Sequence, residues 1–369
     1  MAGKIGAGKI GVGIIGVAPG RSWAAISHIP ALRSLDAYEI VALSTTRMES
    51  AQAAAAEFGV PGAYDNHQDL VNDPAVDLVV VTVKVPHHLK LVQAAITAGK
   101  HVYCEWPLGN GLAEAEQMAA LARDKGIVAA VGMQARSAPL FRYLRQAIAE
   151  GYVGEVLSVS LIGSGMNWGA VVDQPNAYTY DKSNGATLLS IPFGHTLDAL
   201  CHCVGEVTEL VAMLANRRTT AMLVPDNTPL ALTSEDQIVV GAVFENGAVG
   251  SIHYRGGISR GTNLLIEING TEGDIVITGP GGHAQLFDLT IRGGRGEMQG
   301  VEVLDIPADC SWTQQAPAMV QNVAQAYALL AGDIRNGTRN CPDFEEAVKR
   351  HRLLDAVEAS AALGMRTAV

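Results

Sequence analysis

The sequence predicts an α/β protein: an N-terminal doubly wound parallel sheet of the Rossmann type, then an α+β domain with a large, mainly antiparallel open sheet. Three observations lead there. Short β-branched runs alternate with helical stretches through the first third of the chain. A glycine-rich turn follows the first run, and strands with few intervening helices occupy much of the remainder. The expected domains are residues 1–133 and 134–369.

The elements follow in order. Residues 9–17 (KIGVGIIGV) form an apolar run ending in glycines, the pattern of a strand buried on both faces. Residues 24–35 read as a helix and 38–44 (YEIVALS) as a second strand. Residues 48–58 are an alanine-rich helix stopped by Gly59 and Pro61. A strand at 76–83 (VDLVVVTV) precedes a helix at 87–98 that Gly99 ends. A strand at 101–104, a helix at 112–125 and a strand at 127–132 complete the alternation. In the second half, residues 156–162, 237–244, 248–254, 263–268 and 274–278 read as strands, with turn residues such as Glu245-Asn246-Gly247 between them. The expected sheet keeps one face on helices and leaves the other free.

Composition narrows the class. With 48% hydrophobic and 17% charged residues the chain is globular, and no run reaches the ~18 apolar residues of a membrane helix. A net charge of −11 offers no basic stripe for nucleic acid. No apolar signal-peptide core precedes the first strand. Cys104, Cys201, Cys203, Cys310 and Cys341 lack a framework spacing, so reduced thiols and a cytoplasmic location are expected. Residues 1–8 are expected to fray.

Ligands of such a sheet bind at the carboxyl ends of its strands. Around that crevice the sequence gathers residues 16–20, 44–47, 84–88 and 105–107. Gly11, Gly13 and Gly16 formally fit a G-x-G-x-x-G pattern but lie mostly inside the strand, so they are not the phosphate turn. The plausible turn runs Gly16-Val17-Ala18-Pro19-Gly20-Arg21, with Ala18 where a second glycine is usual and the third displaced to Gly20. Its place after strand one of a βαβ unit favours dinucleotide binding over a plain tight turn. At the end of strand two stand Ser44, Thr45, Thr46 and Arg47, without a carboxylate. Hydroxyls and a guanidinium suit the 2′-phosphate of NADP, with NAD possible; the alternative is a solvated loop. Val83 and His88 line the same crevice, where His87 and His88 could cap, bind a hydroxyl or face water. Lys84 at the strand end could act as an acid–base group or be solvated.

Glu105-Trp106-Pro107, Gln134-Ala135-Arg136 with Pro139, Gly151-Tyr152-Val153-Gly154-Glu155, the turn Asn269-Gly270-Thr271-Glu272-Gly273-Asp274, and Asp343-Phe344-Glu345-Glu346-Ala347 occur in the order of one family. On these motifs the chain resembles the glucose–fructose oxidoreductase / inositol dehydrogenase family nearly end to end. A narrower likeness joins it to the branch containing the yeast galactose-pathway repressor, an NAD(P)-binding regulator. That likeness is carried by Gly16, Trp23, His28-Ile29-Pro30, Glu105-Trp106, Asn184-Gly185 and Phe193-Gly194-His195-Thr196 with Asp198. The resemblance implies a C-terminal helix packing back near the first domain and homo-oligomers formed through the C-terminal sheet. It implies that His195 lies over the nicotinamide as a proton donor or acceptor. It also implies a lysine at position 106 and an aspartate four residues before His195. Here those positions are Trp106 and Ile191.

His195 is the leading catalytic candidate, since imidazole titrates near neutrality; a core histidine is the alternative. It should precede a helix at 196–204. His195, Asp198 and His202 share a helical face, but Asp198 reads more simply as a partner of His195 or a substrate contact than as a metal ligand, and no metal is expected. Trp168, Tyr178 and Lys182, on the long loop 163–185, are candidate substrate contacts, and a carbohydrate could stack on Trp168 or Tyr178. The function this favours is NAD(P)-dependent hydride transfer on a sugar, polyol or related ring compound. The competing reading is a catalytically silent NAD(P)-binding regulator, favoured by Trp106 and Ile191. No nucleic acid or membrane partner is expected.

Overall fold

The computed structural model describes residues 8–369. The expected fraying of residues 1–8 therefore falls, apart from Gly8, outside the described residues. The chain divides into two compact units. One runs to Ser137 and takes in Trp312–Lys349; the other is Ala138–Ser311 with Arg350–Val369. The first unit thus includes a C-terminal stretch that differs from the continuous boundary drawn at residue 133.

In the first unit, β1 (Ile10–Ile15) is buried along its whole length. Its glycines are packing glycines: a Cβ on Gly11 would lie 1.9 Å from the Ala75 carbonyl oxygen, and one on Gly13 would lie 2.8 Å from Leu70. The unit continues through α1 (Ile29–Arg33), β2 (Tyr38–Ser44), α2 (Met48–Phe58), β3 (Gly62–Tyr64) and α3 (His67–Asn72). Then come β4 (Leu78–Val81), α4 (His88–Thr97), β5 (His101–Glu105), α5 (Leu112–Lys125) and β6 (Ala129–Gly132). All pairs are parallel, in the order β3-β2-β1-β4-β5-β6. That order reverses direction between β1 and β4, where ligands of this fold sit. β3 is too short, and α3 too short and polar, to stand out in the sequence pattern.

The second unit begins with α6 (Pro139–Ala149) and β7 (Val156–Ser164). β8 (Val171–Asp173), α7 (Gly194–Val204), β9 (Val207–Ala215), β10 (Thr220–Val224), β11 (Thr228–Ala231), β12 (Gln237–Phe244) and β13 (Val249–Arg255) follow. β14 (Leu264–Gly270), β15 (Gly273–Gly279), β16 (Thr290–Arg295) and β17 (Glu302–Val303) complete the run, and β18 (Thr367–Ala368) closes the chain. Nine strands form one sheet in the order β17-β16-β15-β14-β7-β13-β12-β9-β18, antiparallel except for the β7–β13 pair. Val239 stands opposite Met213 on one side and His253 on the other, and Val211, Met213, Val239 and Val249 on this sheet are all exposed. α8 (Ala318–Asn336) belongs to the first unit and packs on α1. The boundary between units falls within α9 (Phe344–Leu363).

Two helices begin differently from expectation. The segment expected as a helix over 24–35 opens as a π turn at Ala24–His28, and a second π turn, Leu189–Phe193, leads into α7. Pro30 and Pro192 have no N–H to give the carbonyl four residues back. At the second turn Phe193 reaches one residue further and takes the Leu188 carbonyl that Pro192 leaves; at the first, Ile29 likewise reaches one residue further, to Ala24, although the carbonyl Pro30 leaves is that of Ile26. His28 ends the first widened turn. His195 lies in the first turn of α7 rather than ahead of the helix.

Candidate active site

Gly16 follows β1 with φ +104°, and a Cβ there would sit 2.6 Å from Val83 Cγ1, so only glycine lets the turn close against the end of β4. Its amide donates to Ser44 O at 3.0 Å, tying the turn to β2. Gly20, at φ +69°, has nothing within 4 Å of a built Cβ, leaving backbone open on that side. The Ser22 hydroxyl accepts from the Ala18 amide at 2.9 Å and from Ala25 N at 3.2 Å, so the Ala18 N–H is spent inside the turn. Arg21, Thr46 and Arg47 are exposed and Ser44 is buried. The Thr45 hydroxyl donates to Arg47 O at 2.9 Å and fixes that loop. A bare-backbone turn at the sheet's switch point, with guanidinium groups at its rim, fits a dinucleotide. The cleft of about 210 Å³ in this unit lies elsewhere, beside Val128 and Arg339 at the amino end of β6, the wrong end for such a ligand.

Lys84 and His87 are exposed at the end of β4. His88, which could have faced water or a ligand, is 1% exposed and does neither. Its Nδ1 lies 2.9 Å from Pro107 O and its Nε2 3.0 Å from Val83 O, so the ring staples the loops after β4 and β5. Burial pushes its pKa below the usual value, against the pull of those carbonyls. It positions Val83 and Pro107 from behind. Trp106 is 5% exposed, and the Trp106–Pro107 peptide is cis. The neighbouring Glu105 carboxylate is 13% exposed and sits 3.1 Å from His28 Nε2, at ion-pair distance but not aligned as a hydrogen bond. His28 Nδ1 is 2.6 Å from the Tyr327 hydroxyl. Tyr103 and Trp23 meet the His28 ring edge-on, at 5.6 and 6.2 Å between centroids.

In the second unit His195 is 3% exposed and its Nδ1 is buried with no hydrogen-bond partner. Burial, then the positive charge His283 would carry, lower its pKa to about 3, with Asp198 opposing. The expectation of an imidazole titrating near neutrality is therefore corrected: this ring is neutral. His283 is itself held down to about 4 by burial. The Thr196 hydroxyl, which donates to Gly282 O at 3.3 Å and accepts from Ala284 N at 3.5 Å, binds the His283 loop to the start of α7.

Two substrate candidates are corrected. Trp168 is 1% exposed; it stacks on His283 at 6.3 Å and donates to Thr179 O at 2.9 Å, so the indole packs the unit and offers no surface to a sugar. Asp198 is 1% exposed and engages Arg350 Nε at 3.2 Å, a pair extended by Glu206 at 3.1 Å. His202 faces Arg145 Nη1 at 3.1 Å, so Asp198 and His202 take separate partners. Lys182 pairs with Glu358 at 2.7 Å and keeps half its surface, and Tyr178 is half-buried. Sequence reasoning gave no site role to His28, Tyr327 or His283. His28-x-Pro30 was visible as a motif. Tyr327 lies mid-helix nearly 300 residues away, and His283 hides in a glycine-rich loop.

Comparison with known proteins accords with this geometry. Residues 10–133 match a family described as an oxidoreductase family with an NAD-binding Rossmann fold, and residues 139–279 match the Gal80p C-terminal domain. Dehydrogenase aclE of Aspergillus oryzae is 31% identical over 350 residues, covering 89% of each chain. The solved transcriptional regulator Gal80p of Kluyveromyces lactis superposes with a TM-score of 0.87 at 25% identity, over 100% of this chain and 96% of that one. Levoglucosan dehydrogenase in complex with NADH and levoglucosan shares the fold, with a TM-score of 0.83 at 23% identity over 98% and 99% of the two chains. No helix among the described residues is long and apolar enough to cross a membrane. On its sheet order, its glycine turn and these matches, the chain belongs to the glucose–fructose oxidoreductase / inositol dehydrogenase (Gfo/Idh/MocA) family of NAD-binding oxidoreductases.

Proposed function

We propose that this protein is a dehydrogenase acting on a hydroxyl of a sugar, polyol or related ring compound, with NADP(H) as the preferred cofactor and NAD(H) as the alternative. The observation that carries the reading is the Gly16 turn at the β1/β4 switch point, where the missing Cβ and the open backbone at Gly20 suit a pyrophosphate. When bound, the nicotinamide supplies the hydride chemistry. Exposed Thr46 and Arg47 at the end of β2, with no carboxylate beside them, support the choice of NADP. His195 is the proposed second-unit residue for the substrate oxygen. As a neutral imidazole it donates a hydrogen bond and polarises that oxygen, rather than acting as a strong base. Lys84 offers an exposed cation at the end of β4, and Tyr178 and Lys182 remain candidate substrate contacts. The exposed apolar sheet face around Val211, Met213, Val239 and Val249 suits a second copy of the chain.

A second reading, a dinucleotide-binding regulator without turnover, draws on Trp106 and Ile191, which replace two proton-handling residues, and on the likeness to Gal80p. One experiment separates the two. Quenching of protein fluorescence follows NADPH and NADH binding, while nicotinamide absorbance follows turnover in both directions over sugars, polyols and lactones. Binding with turnover supports the dehydrogenase. Binding with a flat trace for every compound rejects it. Arg47→Asp should weaken NADPH binding at least tenfold and leave NADH within about threefold, roughly the 1.4 kcal/mol that corresponds to a factor of ten; equal weakening of both would refute the NADP assignment.

A further inference from the structure

Among the described residues, arginines gather at one end of the nine-stranded sheet. Ala215, Gln237 and Arg255 stand side by side there, where β9 and β13 end and β12 begins. Arg218 follows β9, Arg255 is the last residue of β13, and Arg260 lies in the loop after it. With Gln237 and the rest of the loop 256–261, these three line a concavity of about 380 Å³ that no carboxylate lines. It lies wholly within the second unit.

Local structure holds the cluster in place. The buried Asp236 carboxylate accepts from the amides of Arg217 at 2.7 Å and Arg218 at 3.1 Å, and so fixes the backbone that carries Arg218. The Arg218 guanidinium comes no nearer to that carboxylate than 3.9 Å and is half-exposed. Arg255 donates through Nε to Ser164 Oγ at 3.1 Å and through Nη2 to Thr262 O, which anchors one edge of its fork and leaves Nη1 for a ligand. The loop beyond is tied down too: Gly256 N donates to Asp236 O at 2.7 Å and Gly257 N to Asn167 O at 2.8 Å. A Cβ on Gly256 would lie 2.1 Å from Trp168 O, so this close seat requires glycine.

The charge of the cluster stands out against the chain. The net charge is −11, and Arg123, Arg136, Arg339, Arg350 and Arg366 each pair with a carboxylate. Among the described residues Arg255 and Arg260 have no carboxylate at ion-pair distance. His253, two residues before Arg255 on the same face of β13, is held below its ordinary pKa by burial and then by the Arg255 charge.

We propose that this concavity binds a phosphoryl group, as inorganic phosphate or as the phosphate of a phosphorylated small molecule. Guanidinium forks match phosphate oxygens in pairs. A carboxylate offers two oxygens in one plane, whereas a phosphoryl dianion presents oxygens to groups arriving from several sides. Arg218, Arg255 and Arg260 arrive on separate segments. A volume of about 380 Å³ is that of a small-ligand site, with room for a polar body beside Gln237. The site requires neither dinucleotide nor turnover, so it stands or falls apart from the dehydrogenase reading.

The test is titration calorimetry of the whole chain in buffer free of phosphate and sulfate, with inorganic phosphate, glycerophosphate, glucose 6-phosphate and glucuronate as probes. A second series includes NADH, to fill the turn at Gly16. The expected result is saturable binding of a phosphoryl probe in both series and weaker binding of glucuronate. Tightest binding of an ester assigns the site to a phosphorylated small molecule, and tightest binding of inorganic phosphate assigns it to the free ion. Arg218→Gln and Arg260→Gln, both at exposed side chains, should each raise Kd at least about tenfold. Arg260→Lys keeps the charge without the fork and should raise it less. Arg123→Gln removes a charge in the first unit and should change Kd by less than about twofold. No saturable binding of any phosphoryl probe would overturn the proposal, as would glucuronate bound equally tightly, binding lost in the presence of NADH, or full affinity in the Arg218→Gln/Arg260→Gln double variant. Sedimentation of the same variants adds one more arm. An oligomer that Arg260→Gln dissociates, in a protein that binds no phosphoryl probe, would assign these arginines to a contact between copies of the chain instead.

Discussion

His28 and His195 occupy matching local settings and meet opposite partners. Each accompanies a π turn with a proline nearby, two residues after His28 and three before His195, and each is all but sealed from solvent. His28 in the first unit has a phenol at one nitrogen and a carboxylate at the other. His195 in the second unit has a sealed, unpartnered Nδ1 and a second imidazole whose charge opposes its own. Burial alone therefore does not decide what a histidine does; the groups packed with it do. The unpartnered ring is held neutral and is limited to donating or accepting a hydrogen bond.

The largest effect expected from this contrast is on stability against pH. His195, His283 and His351 are held at about 3, 4 and 4, below their ordinary 6.5, mainly by burial. Between pH 6.5 and about 4 the unfolded chain binds protons that the folded chain refuses. Their contribution is complete above pH 6.5 and falls as pH drops toward the folded values, by on the order of 2 kcal/mol per histidine at pH 5. Urea midpoints at pH 7 and pH 5 check it, and an unchanged midpoint would break the contrast.

Arg350→Ala comes next. It removes the guanidinium from beside the Asp198 carboxylate, 1% exposed on the helix that carries His195, and should cost about 3–5 kcal/mol by urea denaturation. His195→Leu separates function from stability. Removing an unpartnered polar ring should leave the urea midpoint near wild type, while turnover falls at least ~100-fold. A stability loss matching that of a partnered residue would erase the distinction. The smallest effect is Tyr327→Phe, which removes one buried hydrogen bond to His28 and should cost about 1 kcal/mol.

Much of the fold was legible because its periods are strong. The strand at 38–44 and the helices at 48–58 and 112–125 stand where patterning set them, as does the strand at 237–244. The widened turns were not legible, since a proline such as Pro192 leaves open which neighbouring amide takes over a carbonyl, and nothing in the pattern marks the Ile29-to-Ala24 bond. Of the site, the crevice residues are sequence-local: each follows the end of a strand, so finding the strands found Gly16, Arg47, Lys84 and Glu105. Partnerships were hidden because they are non-local. Nothing near position 28 announces Tyr327, and nothing near Asp198 announces Arg350. Trp168 looked available because its loop is rich in glycine, asparagine and proline, yet its indole is drawn inside by a stacking imidazole and the Thr179 carbonyl. Ser22 was overlooked as a turn-former, although a serine four residues past a turn amide is well placed to take it.

The most direct measurement of the contrast between the two rings is nitrogen-15 NMR of protein labelled at histidine, followed from pH 8 to pH 5, with His195→Gln identifying the His195 signal. The account predicts that His195 keeps the shifts of a neutral imidazole throughout, as a pKa of about 3 requires. A His195 that titrates near 6.5 would contradict it. It would return that residue to the role of a conventional acid–base catalyst.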